Sequence, residues 1–307
     1  MNTFSHGILE WYNNNKRDLP WRTDNSPYRV LISEIMLQQT QVPRVIEKFH
    51  EFLMLFPTLR NLANASKADV IKAWSGLGYN RRALLLHKFA QVVVEKHDAI
   101  IPSTPEELIE LPGIGPYAAG SIASFAFNLP APAIDVNVRR IFHRYFDGKD
   151  QGKLGSKEEE RVLFSVVKDS IPDNKSCDFH NALMDFGSLV CKRNTPLCTG
   201  CPLFSSCKFG PLYDQDKATL HKVIKAKEKG VTELGRHVPN RIFRGRIVEW
   251  VRKNENVEIS VTDLGSQIKK DFNKEEEWLL MLITKLQQDH LLTFAEKNGS
   301  IKLEIAK

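Results

Sequence analysis

Apolar residues recur at helical intervals in the N-terminal part of the chain. Val30, Ile32, Ile35 and Met36 follow the spacing that places apolar side chains on one face of a helix. The stretch "YAAGSIASFAF", residues 117–127, is also typical of a helix and is rich in small residues. These patterns predict a helix in each of the two stretches.

Two predicted helices flank a turn that contains glycine. The stretch "STPEELIEL" predicts a helix capped by Ser103 or Thr104, and "PGIGP" interrupts it before the next helix begins. Gly113 and Gly115 in this turn would let backbone N–H groups approach an anion such as a DNA phosphate. Ordinary pairs of helices are joined by similar turns, so the pattern alone leaves the function open.

The C-terminal part of the chain has a different pattern. Residues 212–237 are rich in charge and predict a linker that is partly helical. Residues 238–307 then predict a helix, a short strand, two helices and a hairpin with an Asn298-Gly299 turn. Thr262 or Asp263 is expected to cap the first of these two helices. The order of elements is that of a winged-helix domain.

Hydropathy excludes some classes of protein, whereas net charge leaves the binding partner open. The chain has 307 residues and a formal net charge of +6. Such a surplus permits binding to nucleic acid or to an anionic membrane surface, but it also occurs in proteins that bind neither. No apolar run approaches the length of a membrane span, and the N-terminus lacks the pattern of a signal peptide. We therefore expect a cytoplasmic protein without a membrane partner.

Four of the five cysteines lie in the stretch "CKRNTPLCTGCPLFSSC". They are Cys191, Cys198, Cys201 and Cys207. In a reducing compartment, clustered cysteines are more often metal ligands than disulfides. A zinc ion and an iron–sulfur cluster both accept four thiolates, and the spacing does not decide between them. Cys177 stands apart and is expected to be a small core residue.

Two acidic residues could have either a structural or a catalytic role. Asp135 precedes a helix that carries Arg139, Arg140 and Arg144, and an aspartate in this position often caps the helix. Glu34 lies inside an apolar helix, where it could pair with an arginine. If Glu34 is buried instead, its pKa would rise and it could donate a proton near neutral pH.

A tyrosine follows two glycines at a predicted break between helices. In "WSGLGYNRRALLLHKFA", Tyr79 precedes Arg81 and Arg82, which begin the next helix. Tyr79 could stack as a wedge between DNA bases, with the arginines contacting phosphates. The alternative is a tyrosine in the hydrophobic core.

Several motifs occur together in the order found in one family. "LPWR", "SPYRVLISEIMLQQTQV", "GLGYNRRALLLHK", "LPGIGPYAAG", "AIDVNVRR" and "MDFGSLVC" resemble those of the MutY-type adenine DNA glycosylases. The cysteine spacing is similar to the [4Fe-4S] loop of these enzymes and of endonuclease III. The resemblance covers roughly Thr3 to Pro211. It implies a mainly α, two-lobed helix-hairpin-helix core over residues 1–211, with a barrel lobe over about 24–130 and a cluster lobe that combines the N-terminal helix with about 131–211.

The resemblance also implies the roles of catalytic residues. Glu34 matches the general acid that protonates the adenine, and Asp135 matches the carboxylate that stabilises the cationic sugar. Asn137 matches an asparagine that orients the water and the acid. Tyr117 stands where members that also cleave the strand carry a lysine nucleophile, so a monofunctional glycosylase is expected.

The same resemblance implies contacts with double-stranded DNA that contains a mispair or an oxidised base, made by a monomer. The cluster loop of the family presents basic residues, here Lys192, Arg193 and Lys208, to the DNA. The residues that match DNA contacts of the family are Gln38, Gln39, Tyr79, Gly113 and Gly115. Arg81 lies close to Tyr79 in the sequence and is also expected to contact DNA.

The region after residue 211 does not resemble the nucleotide-hydrolase-like domain that reads 8-oxoguanine in this family. The winged-helix-like domain could bind DNA, but Glu275, Glu276 and Glu277 would repel phosphates, so it could instead bind a partner.

We expect removal of adenine opposite 8-oxoguanine or guanine. Removal of another base, such as thymine opposite guanine, and DNA binding without catalysis are alternatives, and a zinc-binding regulator is a more distant one.

Overall fold

The computed structural model of the chain describes most of its length. The described residues are 2–150, 155–215, 218–220, 228–254, 257–297 and 300–306. The N-terminal helices are α1 Thr3–Asn15, α2 Pro20–Thr23, α3 Pro27–Leu37, α4 Val42–Leu55, α5 Leu59–Asn64, α6 Lys67–Ala73, α7 Arg81–Lys96, α8 Pro105–Ile109, α9 Pro116–Phe127 and α10 Val136–Phe142. A π-helical turn, His143–Asp147, extends α10.

The remaining elements include five short strands. They are α11 Lys157–Ser170, α12 Ser176–Leu189, a 3-10 turn Phe204–Ser206, α13 Gly210–Asp214, β1 Gly230–Glu233, β2 Arg236–Pro239, α14 Asn240–Lys253, β3 Glu258–Ser260, α15 Val261–Ile268, α16 Glu276–Gln288, β4 Leu292–Lys297 and β5 Ser300–Ile305. The prediction of a mainly helical fold is confirmed.

The chain divides into two compact units. The first unit contains Met1–Ile35 and Ile101–Ile224, and the second contains Met36–Ile100 and Lys225–Lys307. The domain boundaries predicted at residues 211 and 237 stay predictions, because residues 216–217 and 221–227 lie outside the described part of the chain.

The core of the first unit is aromatic. Phe4 of α1 contacts Phe142, Phe146 and Phe179, with ring centroids 5.0, 5.3 and 6.2 Å away. Beside this core, the carboxylate of Asp185 is fully buried and accepts hydrogen bonds from two arginines of the N-terminal segment. Aromatic packing and a paired buried charge therefore join α1 to α10 and α12.

Small residues let α9 approach the segment that follows it. Thr104 caps α8, one of the two residues predicted to do so. Gly120 lies in α9, where an added Cβ atom would be 2.1 Å from the backbone oxygen of Pro132. Because this contact is with backbone, a larger side chain at Gly120 could enter only if the segment moved.

In the second unit, one buried apolar cluster includes the C-terminal region. Ile71 of α6 belongs to the same buried apolar cluster as Phe243 and Ile247 of α14 and Leu282 of α16. Strands β3, β5 and β4 form an antiparallel sheet in that order. The predicted order of helix, strand, two helices and hairpin is confirmed, and the C-terminal region packs directly on α6.

Two details of the C-terminal prediction were wrong. Ser260, rather than Thr262 or Asp263, caps α15, and it accepts a hydrogen bond from the Asp263 backbone N–H. Strands β1 and β2 form a hairpin that overlaps the predicted linker. The predicted Asn298-Gly299 turn lies outside the described residues.

None of the helices in the described ranges combines the length and the apolarity that crossing a membrane requires.

We expect Gly120→Ala to lower the free energy of unfolding by about 1–3 kcal/mol, because the methyl group meets backbone that must shift. Gly245→Ala is the matched control, since an added Cβ atom there has no neighbour within 4 Å. In the middle of α14 this change should stabilise the chain by about 0.5–1 kcal/mol. Denaturant unfolding of both variants measures the effect, and equal stability of the two would contradict the packing assigned to Gly120.

Candidate active site

Glu34 is a buried carboxyl group on α3. Its exposed fraction is 6%. Burial raises its pKa to about 7, while hydrogen bonds from the hydroxyl groups of Ser121 and Tyr117 on α9 oppose the shift. Repulsion by the charge of Asp135 raises the pKa further. The group can therefore hold a proton near neutral pH and release it to a neighbouring atom.

Asp135 caps α10 and lies close enough to Glu34 for their charges to interact. One carboxylate oxygen accepts hydrogen bonds from the backbone N–H groups of Asn137 and Val138, both 2.8 Å long. The other accepts one of 2.7 Å from the side-chain amide of Asn137. Burial raises the pKa of Asp135, and the donors from Asn137 and Val138 act in the opposite direction. The capping and catalytic interpretations are therefore compatible.

The two carboxyl groups have different surroundings. Hydroxyl groups surround Glu34, whereas Asp135 accepts three N–H hydrogen bonds that favour its ionised form. One neutral acid and one carboxylate form the pair that hydrolyses glycosidic bonds. The arrangement supports proton donation by Glu34 and electrostatic stabilisation of a cation by Asp135.

Tyr117 of α9 lies beside Glu34 and forms a hydrogen bond with it. Burial raises its pKa well above the usual value, and the nearby charges of Glu34 and Asp135 add to this effect. Its hydroxyl group therefore stays protonated and donates to the Glu34 carboxyl group. A phenol in this position supplies no amine for a Schiff base.

The turn between α8 and α9 is exposed. The N–H of Ile114 donates to the carbonyl of Leu111 over 3.2 Å, and Gly113 between them has a φ of 81°. Proline followed by a glycine with positive φ is typical of a type II turn. Gly115 follows as the N-cap residue of α9, with no atom within 4 Å of an added Cβ. The backbone here is open to an anion at the start of a helix.

The four clustered cysteines line one small cavity of about 30 Å³ in the first unit. Burial raises the pKa of Cys198 to about 11 and that of Cys201 to about 12, and the neighbouring thiolates add to both shifts. Arg144 and the backbone N–H of Gly210 donate hydrogen bonds to sulfur atoms in this group. Within the described residues, no group of three or more histidine, cysteine or acidic side chains is arranged to hold a single metal ion.

The thiols fit a larger positively charged group. Thiolates that repel one another in a buried cavity are stable only when a cationic centre binds them. Arg144 also donates to the carbonyl oxygens of Lys192 and Arg193, over 2.7 and 3.0 Å, so its buried guanidinium group holds the loop around the cavity.

A second buried arginine links this loop, through Asn137, to Asp135. Arg140 donates to the side-chain oxygen of Asn137 over 2.8 Å and to the backbone oxygen of Cys191 over 2.9 Å. Asn137 in turn donates to Asp135. The position of the Asp135 carboxylate therefore depends, through two hydrogen-bonded side chains, on the first cysteine of the loop. The sequence showed arginines on α10 but not that they face inward.

The residues proposed to contact DNA belong to two units. Gly113 and Gly115 belong to the first unit, whereas Gln38, Gln39, Tyr79 and Arg81 belong to the second. Gln39 and Tyr79 both have positive φ values, 58° and 46°, which is uncommon for residues other than glycine. Tyr79 is 42% exposed, so it is not a core residue, and Arg81 is also exposed.

Arg82 was predicted to contact phosphate, and that prediction was wrong. Its guanidinium group is buried and donates to the carbonyl oxygens of Met36, Gln38, Leu77 and Gly78 over 2.6–3.1 Å. It therefore holds together the two loops that carry Gln38 and Tyr79. The pair "RR" in the sequence does not distinguish the arginine that faces solvent from the one that faces inward.

Comparison with known proteins gives one consistent result. A sequence model of the HhH-GPD superfamily of base excision DNA repair proteins matches residues 32–165. An adenine DNA glycosylase of Buchnera aphidicola subsp. Baizongia pistaciae is 38% identical over 206 residues, which cover 67% of this chain and 58% of that protein. The enzyme of the same name from Buchnera aphidicola subsp. Schizaphis graminum is 32% identical over 304 residues, covering 91% and 86%.

A solved structure of a DNA glycosylase is also similar to this chain. A thermostable thymine-DNA glycosylase matches with a TM-score of 0.63 and 28% identity, over 68% of this chain and 95% of that one. The helix-hairpin-helix glycosylase fold predicted from the sequence is confirmed.

We expect Glu34→Gln to stabilise the chain at alkaline pH. The unaltered protein must bury a charged carboxylate above its raised pKa, so it loses stability between pH 4.5 and about 7. The variant avoids this loss, which is about 3 kcal/mol because one pKa unit corresponds to about 1.4 kcal/mol. Unfolding measured at several pH values tests this, with Glu106→Gln on the exposed start of α8 as control. A difference independent of pH would contradict the assigned protonation.

Proposed function

We propose, since the chain belongs to the helix-hairpin-helix family of adenine DNA glycosylases, that it excises adenine paired with 8-oxoguanine or guanine from duplex DNA by hydrolysis. One observation carries this proposal. Glu34, a buried carboxyl group whose pKa is raised to about 7, lies within electrostatic reach of Asp135, the carboxylate that caps α10. This is the pair of groups that cleavage of an N-glycosidic bond requires.

The adenine must leave the base stack before the reaction, because its glycosidic bond is inaccessible within the duplex. Glu34 would then protonate the departing base, since the hydroxyl groups of Ser121 and Tyr117 hold its carboxyl group in place. Protonation turns the adenine into a neutral leaving group and weakens the bond to the sugar.

Asp135 would stabilise the positive charge that develops on the sugar. Its orientation is set by the hydrogen bonds from Asn137 and Val138 before the substrate arrives, so little reorganisation is needed during the reaction. The side chain of Asn137 would also orient the attacking water. Water then adds to the sugar, and the products are free adenine and an abasic site.

Tyr117 supports hydrolysis without strand cleavage. Strand cleavage by this class of enzyme needs an amine that forms a Schiff base with the sugar. The side chain beside Glu34 is a phenol whose raised pKa keeps it protonated. We infer a monofunctional enzyme.

The cysteine loop would hold a [4Fe-4S] cluster, with Cys191, Cys198, Cys201 and Cys207 as the ligands. The cluster supplies structural cross-linking of the loop when it is bound. The chain's own residues transmit this order, since Arg144 holds the loop and Arg140 joins Cys191 to Asn137. The exposed Lys208 and Arg193 would then face the DNA backbone.

The partner of the enzyme would be duplex DNA with a mispair or an oxidised base, bound by one chain at a time. The second unit would contact the DNA through Gln38, Gln39, Tyr79 and Arg81, and the first unit through the backbone of the α8–α9 turn. We infer a cytoplasmic protein, associated with the nucleoid if the cell is bacterial.

We expect single-turnover release of adenine opposite 8-oxoguanine and opposite guanine, with no release of thymine opposite guanine. Asp135→Asn should reduce the rate at least about 10³-fold, since it removes the charge that stabilises the transition state. An asparagine still caps α10, so folding should be preserved. Asp263→Asn on α15 is the control for loss of a carboxylate.

Thymine release alone would show that the substrate is misassigned, and unchanged activity of Asp135→Asn would show that the catalytic group is. Efficient trapping of an enzyme–DNA adduct by borohydride would contradict the monofunctional mechanism.

We expect Cys198→Ser to lose the visible absorbance, iron and inorganic sulfide that an iron–sulfur protein carries, and to unfold at lower temperature, because one ligand of the cluster is removed. Cys177→Ser is the matched control, since Cys177 lies outside the cavity lined by the other cysteines. Stoichiometric zinc in the purified chain, without iron, would instead identify the site as a zinc site.

A further inference from the structure

Helix α14 of the C-terminal region runs along the turn that carries Tyr79. Arg252 donates to the backbone oxygen of Ile71 over 2.5 Å and to the side-chain oxygen of Asn80 over 3.1 Å. Glu249 accepts a hydrogen bond of 2.9 Å from the hydroxyl group of Ser75. These polar contacts anchor the residues on both sides of Tyr79 to one helix.

The apolar side of the same helix makes this attachment rigid. Phe243, Ile247 and Val251 are fully buried in the cluster that includes Ile71 of α6. Because close-packed side chains resist displacement, this shared core holds α14 against α6, the helix that precedes the turn. The C-terminal region is therefore part of the framework of this loop.

The first turn of α14 places a guanidinium group beside the tyrosine ring. Arg241 lies 5.7 Å from the centroid of the Tyr79 ring, within the range of a cation–π contact. Residues 241, 249 and 252 are spaced so that they share one face of the helix. The contact with Tyr79 therefore continues the line of contacts made by Glu249 and Arg252.

An ion pair fixes the orientation of Arg241. Its Nε atom lies 2.7 Å from a carboxylate oxygen of Glu228, and its side chain is 44% exposed. A guanidinium group that is held by its edge keeps its planar face available for an aromatic ring. Since Glu228 occupies the edge of the guanidinium group, the face that remains suits contact with the ring better than contact with a DNA phosphate, which binds the edge.

Tyr79 needs such support because of its backbone. Its φ of 46° is disfavoured for a bulky side chain, and the two preceding carbonyl groups are held by Arg82. The guanidinium group of Arg82 also lies 5.7 Å from the ring centroid of Tyr79. One arginine of α7 and one of α14 thus define where this exposed ring points.

We propose that Arg241 is a positioning residue for base excision, which holds the ring of Tyr79 in the orientation that opens the base stack. The inference rests on the proposed function, in which Tyr79 is the wedge. It assigns the C-terminal region a direct part in substrate recognition, through the ring and not through a separate DNA-binding surface.

A double-mutant cycle on the full chain tests this inference, with Arg241→Gln, Tyr79→Leu and the double variant. We expect Arg241→Gln to lower single-turnover adenine release by between about threefold and thirtyfold, the range that corresponds to loss of a cation–π contact. The double variant should be no slower than Tyr79→Leu, because Arg241 acts through that ring. Arg241→Lys keeps a cation and should recover part of the loss.

A second readout follows the DNA directly. A fluorescent base analogue beside the mispair reports opening of the stack without any chemical step, and Arg241→Gln should reduce its signal. Arg236→Gln on β2 is the matched control, since it removes one exposed arginine from the same region. Thermal unfolding confirms that each variant is folded.

The outcomes separate the two proposals. Additive losses in the cycle, or a loss in Arg236→Gln equal to that in Arg241→Gln, would overturn the inference, because Arg241 would then act as a general cation. Absence of base release from every duplex, with the unaltered chain, would refute the proposed function. In that case the fluorescence signal alone decides the role of Arg241, and no opening of the stack by the unaltered chain would refute it.

Discussion

The removal of two neighbouring carboxyl groups from solvent, almost complete for Glu34 and partial for Asp135, is the constraint on which the candidate active site depends. Two charged carboxylates that are removed from water and lie close together cannot both be stable. The protein resolves this by giving Asp135 three N–H donors and by giving Glu34 hydroxyl partners and little solvent. The same difference assigns opposite chemical tasks to the two groups, because one keeps a proton and the other keeps a charge.

The hydrogen bonds that stabilise the charge of Asp135 continue beyond the two carboxyl groups. Asn137 donates to Asp135 and accepts from Arg140, which also binds the backbone of Cys191. A buried guanidinium group needs several acceptors, and carbonyl oxygens at the end of α12 and in the cysteine loop provide them. The geometry of the carboxylate is therefore linked to the order of the cysteine loop by the requirement that every buried donor be satisfied.

Buried arginines also hold backbone segments together in the second unit. Arg82 and Arg252 are largely buried, and both donate to backbone oxygens of segments that pack around the Tyr79 turn. Each guanidinium group donates to carbonyl groups in turns and at helix ends, where regular backbone pairing is incomplete. Tyr79 can keep a disfavoured backbone conformation because several hydrogen bonds fix the backbone around it. The C-terminal helix α14 contributes to this order as directly as α7 does.

The sequence by itself determined the features that local patterns encode. Helical periodicity, the cap at Thr104, the glycine turn at Gly113 and the spacing of the cysteines depend on residues close together in the chain. These features also carried the resemblance to the glycosylase family. They were sufficient to predict the helical fold and the order of elements in the C-terminal region.

Only the tertiary structure decided which polar side chains are buried and what they contact. Arg81 and Arg82 are adjacent in the sequence, yet one faces solvent and the other holds two loops together. The surroundings of Glu34 and the position of Arg241 beside Tyr79 likewise come from segments distant in the chain. Desolvation and hydrogen-bond pairing depend on such long-range neighbours, so no local pattern of residues could specify them.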